Sequence, residues 1–533
     1  MPLPSQSLDL GPIAKVVEKT LAELREAGFA KRFWAKDPSL WPGGDAKDVA
    51  GMLGWVDVVG TMQGRIGEIE TFVQEIKEAG FERVVVAGMG GSSLAPYVFT
   101  HLFTGGLPLT VLDSTHPATV LAVEHGGDLA KTLFIVSSKS GSTAEPSAFD
   151  AYFFDKVGKP ENFVAITDPG SPFAQSAEKK GYRKIFLNFP DIGGRYSALS
   201  YFGLVPAALL GADLTRLLGG AKEMIDANQT DDGDAFALGA AIGTSAKEGR
   251  DKLTFLTAPE WASYGLWLEQ LIAESTGKKG TGILPIAGER PGSPQVYGDD
   301  RFFALYDAEK PTDAPSVSFD LSDPYQIAGE MMRWEIATAV AGHVLGINPF
   351  NQPNVQESKD TTKAILKTVE ESGDLPVEAP TISENGVMVL SKTEVNTLAG
   401  ALQSFLDTIP EHGYLAIHGY LHETPELDAK LHELQAKLRD KTHKAVTFGY
   451  GPRFLHSTGQ FHKGGPKVGS YLQLLDTPRE DAPIPGQKAT WAVFIEAQAR
   501  GDKQTLEKYG RPVMTLSLGI DPLVGLNIVE EAL

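Results

Sequence analysis

VVVAGMGGSS, residues 84–93, is the stretch that decides the fold. Residues 84–87 hold three valines and an alanine with no polar residue among them. That is the texture of a strand covered on both faces, as parallel sheets require. The chain then passes at once into Gly88-Met89-Gly90-Gly91-Ser92-Ser93. Glycines let backbone amides come close to an anion, and a helix that starts there adds unpaired N–H groups and a favourable dipole.

Working outward, short β-branched runs recur at 109–113, 132–137, 163–167 and 184–187, with helical segments between them. Such alternation predicts a parallel sheet wrapped by helices. The run 132–137 leads into Ser138-Lys139-Ser140-Gly141-Ser142-Thr143 and a helix near Glu145-Pro146. Hydroxyls, a lysine and a glycine packed this closely form a donor set for one phosphate. Taken alone, 88–93 also suits a dinucleotide, with Asp113 in the place of a ribose-binding acid. Ser93 stands where the third glycine should be, however, and a dinucleotide fold has no use for a second, hydroxyl-rich turn. Both turns fall at the carboxyl ends of strands, where open α/β sheets hold ligands.

A second cycle of strands and helices opens at 252–257 and includes 316–319 and a long helix near 324–346; a third starts near Gly386. Before the first, residues 8–37 and 47–79 read as amphipathic helices. The 533 residues exceed what one core can hold. We therefore expect a helical N-terminal cap (1–80), a first phosphate-gripping domain (81–235), a second domain with the catalytic base (236–375) and a C-terminal α/β extension (376–533).

Composition narrows the chemistry. With 48 Lys+Arg against 68 Asp+Glu, the net charge of −20 argues against nucleic acid as a partner. The absence of cysteine excludes disulfides, thiolate metal sites and a cysteine nucleophile. The uncharged run 196–212, with a proline and two glycines in 17 residues, is too short to span a bilayer comfortably, and no membrane association is expected. The opening MPLPSQSLDLGPIAKVVEK lacks the pattern of a secretory signal, and a cytoplasmic location is expected.

Five segments, in order, resemble the sugar isomerase (SIS) family and, within it, the phosphoglucose isomerases. They are GMGGSSLAP (88–96), SKSGSTAEP (138–146), GGRYSALSYFGL (193–204), AESTGK (273–278) and NPFNQPNVQESK (348–359). The tail, with GPRFLHSTGQFHKGGP (451–466), looks like the isomerase half of bacterial transaldolase/phosphoglucose isomerase fusions. The resemblance implies an α/β fold of doubly wound parallel sheets, with two SIS-like domains, the helical cap and the extension. It implies interconversion of an aldose phosphate and a ketose phosphate through ring opening and an enediolate. Such chemistry needs a carboxylate base, a cation beside the developing oxyanion, a ring opener and a phosphate grip. It requires no cofactor and no metal.

Glu274, at the end of an apolar helix and beside Ser275-Thr276-Gly277-Lys278, is the expected base, in the setting of the family's proton-shuttling glutamate. Arg195, after two glycines and before an almost uncharged segment, needs a partner for its charge, and the resemblance makes it the stabiliser of the enediolate. Gly91, Ser92, Ser138, Lys139, Ser140, Ser142 and Thr143 are expected at the phosphate. By resemblance, Gln352 contacts the phosphate and Lys359 the ring oxygen. Gln356 and Ser358 depart from the family's usual glutamate and glycine, and Glu357 is a rival carboxylate.

The ring-opening histidine is the larger departure, because residues 291–301 contain none. Candidates are Lys359, Asp299, Asp300 and a histidine from elsewhere. His456 and His462 flank a short loop in the tail, and His456 is the one we select. The spacing His418-x-x-x-His422 does not suit a metal, since Gly419 argues against a helix there. The expected partner is a small sugar phosphate, with a homodimer possible. Two other readings stay open: an isomerase that also takes mannose 6-phosphate, and a non-catalytic SIS module that senses a sugar phosphate.

Overall fold

Strands that are apolar on both sides need cover on both sides, and this chain provides it around three sheets. The computed structural model describes residues 3–373, 375–391 and 394–533, with side chains for all of these except 355, 356 and 358. In chain order the first ten strands are β1 (Ser5–Asp9), β2 (Arg83–Gly88), β3 (Leu109–Leu112), β4 (Thr132–Ser137), β5 (Phe163–Thr167), β6 (Lys184–Leu187), β7 (Lys252–Thr257), β8 (Leu284–Ile286), β9 (Arg301–Tyr306) and β10 (Ser316–Asp320). The third sheet adds β11 (Ile382–Glu384), β12 (Val387–Val389), β13 (Tyr414–Tyr420), β14 (Ala445–Tyr450), β15 (Gly469–Leu475) and β16 (Val513–Ser517).

The first sheet runs β3-β2-β4-β5-β6, parallel throughout. From β2 the chain winds first to one side, to β3, and then to the other, to β4. The winding therefore reverses between β2 and β4, whose facing ends are Gly88 and Ser137. The two phosphate-type turns leave from those ends, at the crevice where doubly wound sheets bind ligands. The second sheet, β1-β10-β9-β7-β8, repeats the pattern around β7.

The N-terminus differs from the helical reading. Residues 8 and 9 lie in β1, which pairs antiparallel with β10, Leu8 opposite Val317. The alternating Ser-Gln-Ser-Leu-Asp suits an edge strand with one face half-buried, and it covers the backbone of β10 that would otherwise be unpaired. The helical part is then divided into Ala14–Glu26 and Phe29–Trp34, with Gly28 left-handed between them. The 47–79 stretch is similarly broken into short helices and a 3₁₀ turn before Ile66–Glu78. In the third sheet β13 to β16 are parallel, but β11 and β12 add an antiparallel end.

One continuous core joins the N-terminal helices to both of the first two sheets. The third sheet has its own core, and its flanking segments dock on the other two. Trp491 is fully buried on the first sheet's helices, stacked 5.5 Å from Phe149 and edge-on 5.6 Å from Tyr152. Phe461, Tyr414 and Tyr471 share a cluster with Ala273, Leu284 and Ile286 from the second sheet's unit. This two-sided docking carries the 451–466 segment to the strand tips.

Candidate functional site

The turn 138–143 opens the helix Ala144–Val157, whose N-cap Thr143 makes no side-chain capping bond. The Ala144 amide and the Thr143 hydroxyl are thus left for another acceptor, since Pro146 has no N–H and Glu145 turns its amide to its own carboxylate. Ser138 Oγ and Ser137 Oγ are buried and have no partner, and unpaired buried hydroxyls are costly unless something occupies them. Ser140 and Ser142 hydroxyls lie 3.1 Å apart. Lys139 faces differently from the expectation: Asp168 and the Pro190 carbonyl hold its ammonium. It still lines the cavity, but with its charge already paired.

The glycines of the other turn serve packing as much as anion approach. A Cβ on Gly91 would fall 2.0 Å from the Gly194 carbonyl oxygen, so only glycine lets the turn lie against the backbone before Arg195. Gly90 is left-handed, and a Cβ there would meet Gln270 and the His456 backbone.

Arg195 is buried in the 3₁₀ turn Gly194–Tyr196. Its guanidinium donates to Ser275 Oγ (2.7 Å), Gln352 Oε1 (3.1 Å) and the carbonyls of Pro349 (2.6 Å) and Asn351 (3.0 Å). Its Nη1 is 3.5 Å from Glu274 Oε1. Glu274, in the last turn of the helix Tyr264–Thr276, is buried, with Gln270 Nε2 donating to its other oxygen at 3.2 Å. A buried carboxylate with one hydrogen-bond donor and one flanking cation is positioned to take and return a proton. The same cation is available to a developing oxyanion. Behind it, burial pushes the Lys278 ammonium well down, with Arg195 adding to the effect, and its Nζ donates to the Asn348 carbonyl at 2.6 Å.

His456 enters from the C-terminal extension. Its carbonyl accepts from Gln270 Nε2 at 2.8 Å, and its Nε2 lies 2.9 Å from Glu145 Oε1. Burial alone would raise Glu145, but the imidazole and Lys359 nearby outweigh it and leave the carboxyl below its ordinary value. An ionised carboxylate only accepts, so Nε2 of His456 is the donor to Glu145. Gln498 Nε2 also donates to Glu145 Oε1 (2.8 Å), and Thr115 donates to Gln498.

The structure brings Gly91, Ser92, Ser138, Lys139, Ser140, Thr143, Arg195, Glu274, Gln352, Lys359 and His456 onto one cavity of about 340 Å³. Ser142 lines an adjoining space of about 340 Å³ that shares Ser140, Thr143, Gln352, Lys359 and His456 with it. The other ring-opener candidates lie elsewhere. Asp300 is beside Lys252, Asp299 beside His412, and both ring nitrogens of His462 are buried in another cavity. Glu357 is held by Lys508 and Tyr509. The side chains of Gln356 and Ser358 lie outside the described ones. Glu145, Gln270, Gln498 and Asp168 were not picked out from sequence. Of these only Glu145, inside the SKSGSTAEP segment, carried a local signal. Among the described residues no group of His, Asp or Glu side chains is arranged to hold a metal, and no helix is long and apolar enough to cross a membrane.

The family model for phosphoglucose isomerase matches residues 54–278. That span contains both turns, Arg195 and Glu274. It stops before Gln352, Lys359 and His456. A glucose-6-phosphate isomerase of Thermosynechococcus vestitus is 27% identical over 441 residues, covering 68% of this chain and 81% of that protein. Another, from Carboxydothermus hydrogenoformans, is 27% identical over 431 residues, covering 66% and 91%. Among solved structures, a glucose-6-phosphate isomerase from Chlamydia trachomatis aligns with a TM-score of 0.54 at 18% identity, covering 67% of this chain and 86% of that one. At that identity the likeness concerns the fold.

Proposed function

We propose that this chain, whose residues 54–278 match the family model for phosphoglucose isomerase, interconverts glucose 6-phosphate and fructose 6-phosphate. The observation that carries the reading is the buried pair of Glu274 and Arg195, 3.5 Å apart, on the same cavity as the unpartnered hydroxyl of Ser138. Ser92, Ser138, Ser140 and Thr143 take the phosphate at the N-terminus of the helix Ala144–Val157, an arrangement suited to an anion.

With the phosphate anchored there, the sugar extends toward Arg195 and Glu274. His456, its Nε2 proton directed at Glu145, uses Nδ1 to take the proton of the anomeric hydroxyl, while Lys359 protonates the ring oxygen as the ring C–O bond breaks. Glu274 then removes the proton from C2 of the open aldose. The resulting enediolate carries negative charge on oxygen, opposite the Arg195 guanidinium. The proton of the C2 hydroxyl passes to O1, Glu274 returns its own proton to C1, and the C2 carbonyl of the ketose forms. Every role is filled from within one chain, so the reading needs no second subunit.

The test is turnover of fructose 6-phosphate by wild type and Glu274→Gln in a coupled assay. Loss of a proton-shuttling carboxylate costs about 10²-fold or more; an amide within a few-fold of wild type would remove Glu274 from the role. Running glucose 6-phosphate and mannose 6-phosphate side by side settles whether the second aldose is also a substrate.

A further inference from the structure

The helix Tyr264–Thr276 has a cavity on each side. Gln270 lines the one described above, and its neighbour Glu269 lines another of about 270 Å³, between the second sheet and the C-terminal extension. Glu269 is only 5% exposed, yet among the described residues its carboxyl accepts one hydrogen bond, from the Ala287 amide to Oε1 at 3.2 Å. Among the described residues no cation is paired with it, and burial pushes its carboxyl up to about 8, opposed only by that amide. Across the cavity, His462 is 1% exposed with neither ring nitrogen partnered, and burial keeps its imidazole neutral. Among the described groups, the Glu269 carboxyl has one donor, the Ala287 amide, and the two ring nitrogens of His462 have no partner.

The other charges there set the sign of the occupant. Among the described residues lining the cavity, Arg453 is the one lysine or arginine, and Asp113 and Glu423 already hold it at 2.8–2.9 Å. Asp428 adds a further negative charge. An anion would meet no free lysine or arginine, whereas a cation would meet an uncommitted carboxyl. Leu266, Phe448 and Ala287 supply apolar wall for the rest of the molecule.

We propose that this second cavity binds a small organic cation, an amidinium or ammonium on a compact apolar body, with Glu269 as its counter-ion. This assignment stands apart from the isomerase reading, because no residue it uses takes part in the proposed chemistry.

Isothermal titration of the full chain with benzamidine, and with its neutral and anionic counterparts benzamide and benzoate, tests it. Benzamidine is expected to bind at one site at least 10-fold more tightly than either counterpart. Because Glu269 must ionise to pair with it, about one proton is released per site near pH 7, read from titrations in two buffers. Glu269→Gln should weaken benzamidine by 10-fold or more. So should Ala262→Trp, which plugs the mouth from an exposed position and leaves the buried wall intact. Both should keep wild-type turnover of fructose 6-phosphate. Benzamide binding as tightly as benzamidine, binding without proton release, or benzamidine affinity unchanged in both variants would overturn the proposal.

Discussion

Glu145 and His456 stand 311 positions apart in sequence, yet their side chains meet at 2.9 Å, carboxylate oxygen to imidazole Nε2. The contact fixes the imidazole tautomer and spans two units of the fold. Glu145 belongs to the helix after the hydroxyl-rich turn, and His456 to a segment delivered by the C-terminal extension.

If that imidazole opens the ring, His456→Ala loses about 10²-fold on cyclic glucose 6-phosphate. It should lose much less on substrate already in the open-chain form. Glu145→Gln keeps the shape but removes the charge that orients the ring, so its loss should follow the same pattern at roughly 10-fold or more. Stopped-flow comparison of anomerised and open-chain substrate reads the difference. Equal losses on both forms would assign the pair a purely structural role.

Ser138 offers a hydroxyl that is buried and idle in the ligand-free chain. Removing it leaves no protein partner stranded. Ser138→Ala should therefore leave the melting temperature unchanged while KM rises about 10-fold, the usual worth of a hydrogen bond to a charged group. A lowered Tm with unchanged KM would place the hydroxyl in folding instead.

Gly91 lies so close to the Arg195 turn that a methyl group would sit 2.0 Å from the Gly194 oxygen. Gly91→Ala must push the two backbones apart and carry Arg195 away from Glu274. We expect both a lower Tm and a fall in kcat of about 10²-fold, since small misplacements at a reacting centre are costly. Gly105→Ala, where nothing lies within 4 Å of the added carbon, is the control and should be silent.

His462 is held well below its ordinary 6.5 by burial, with His418, Lys463 and Arg511 adding to the effect. A histidine whose folded pKa is depressed stabilises nothing by protonation. The unfolded chain binds the extra proton, so stability is full above about 6.5 and falls as pH drops below it. His418 is lowered too, again chiefly by burial, and contributes in the same direction. The Tm deficit of His462→Gln relative to wild type should therefore shrink between about pH 8 and about pH 5.5. A deficit constant across that range would show that the imidazole does not titrate between the two states.

The elements closest to the site were legible because each is governed by local chemistry. β4, β5, β6 and β7 occupy the ranges read from their unbroken apolar runs. The glycine and serine turns were read as anion-binding from residue type, and the structure sets both at the facing tips of β2 and β4, on one cavity. Leu8 and Asp9 misled, since an alternating edge strand of five residues is easily absorbed into the amphipathic helix beside it. Gln270 and Gln498 carried no signal, because a glutamine's role depends on what it faces, and here that is supplied by residues more than a hundred positions away.

By itself, then, the sequence determined the strands, the turns at their tips and the residue types able to grip a phosphate and move a proton. These follow from hydrophobic period, backbone freedom and side-chain chemistry, all local properties. Only the tertiary structure decided that Lys139 spends its charge on Asp168 and that His456 rather than His462, Asp299 or Asp300 reaches the cavity. It also set Glu274 against Arg195. Those outcomes depend on where three sheets dock, and docking is fixed by buried surfaces such as those of Trp491 and Phe461, whose partners no local pattern specifies.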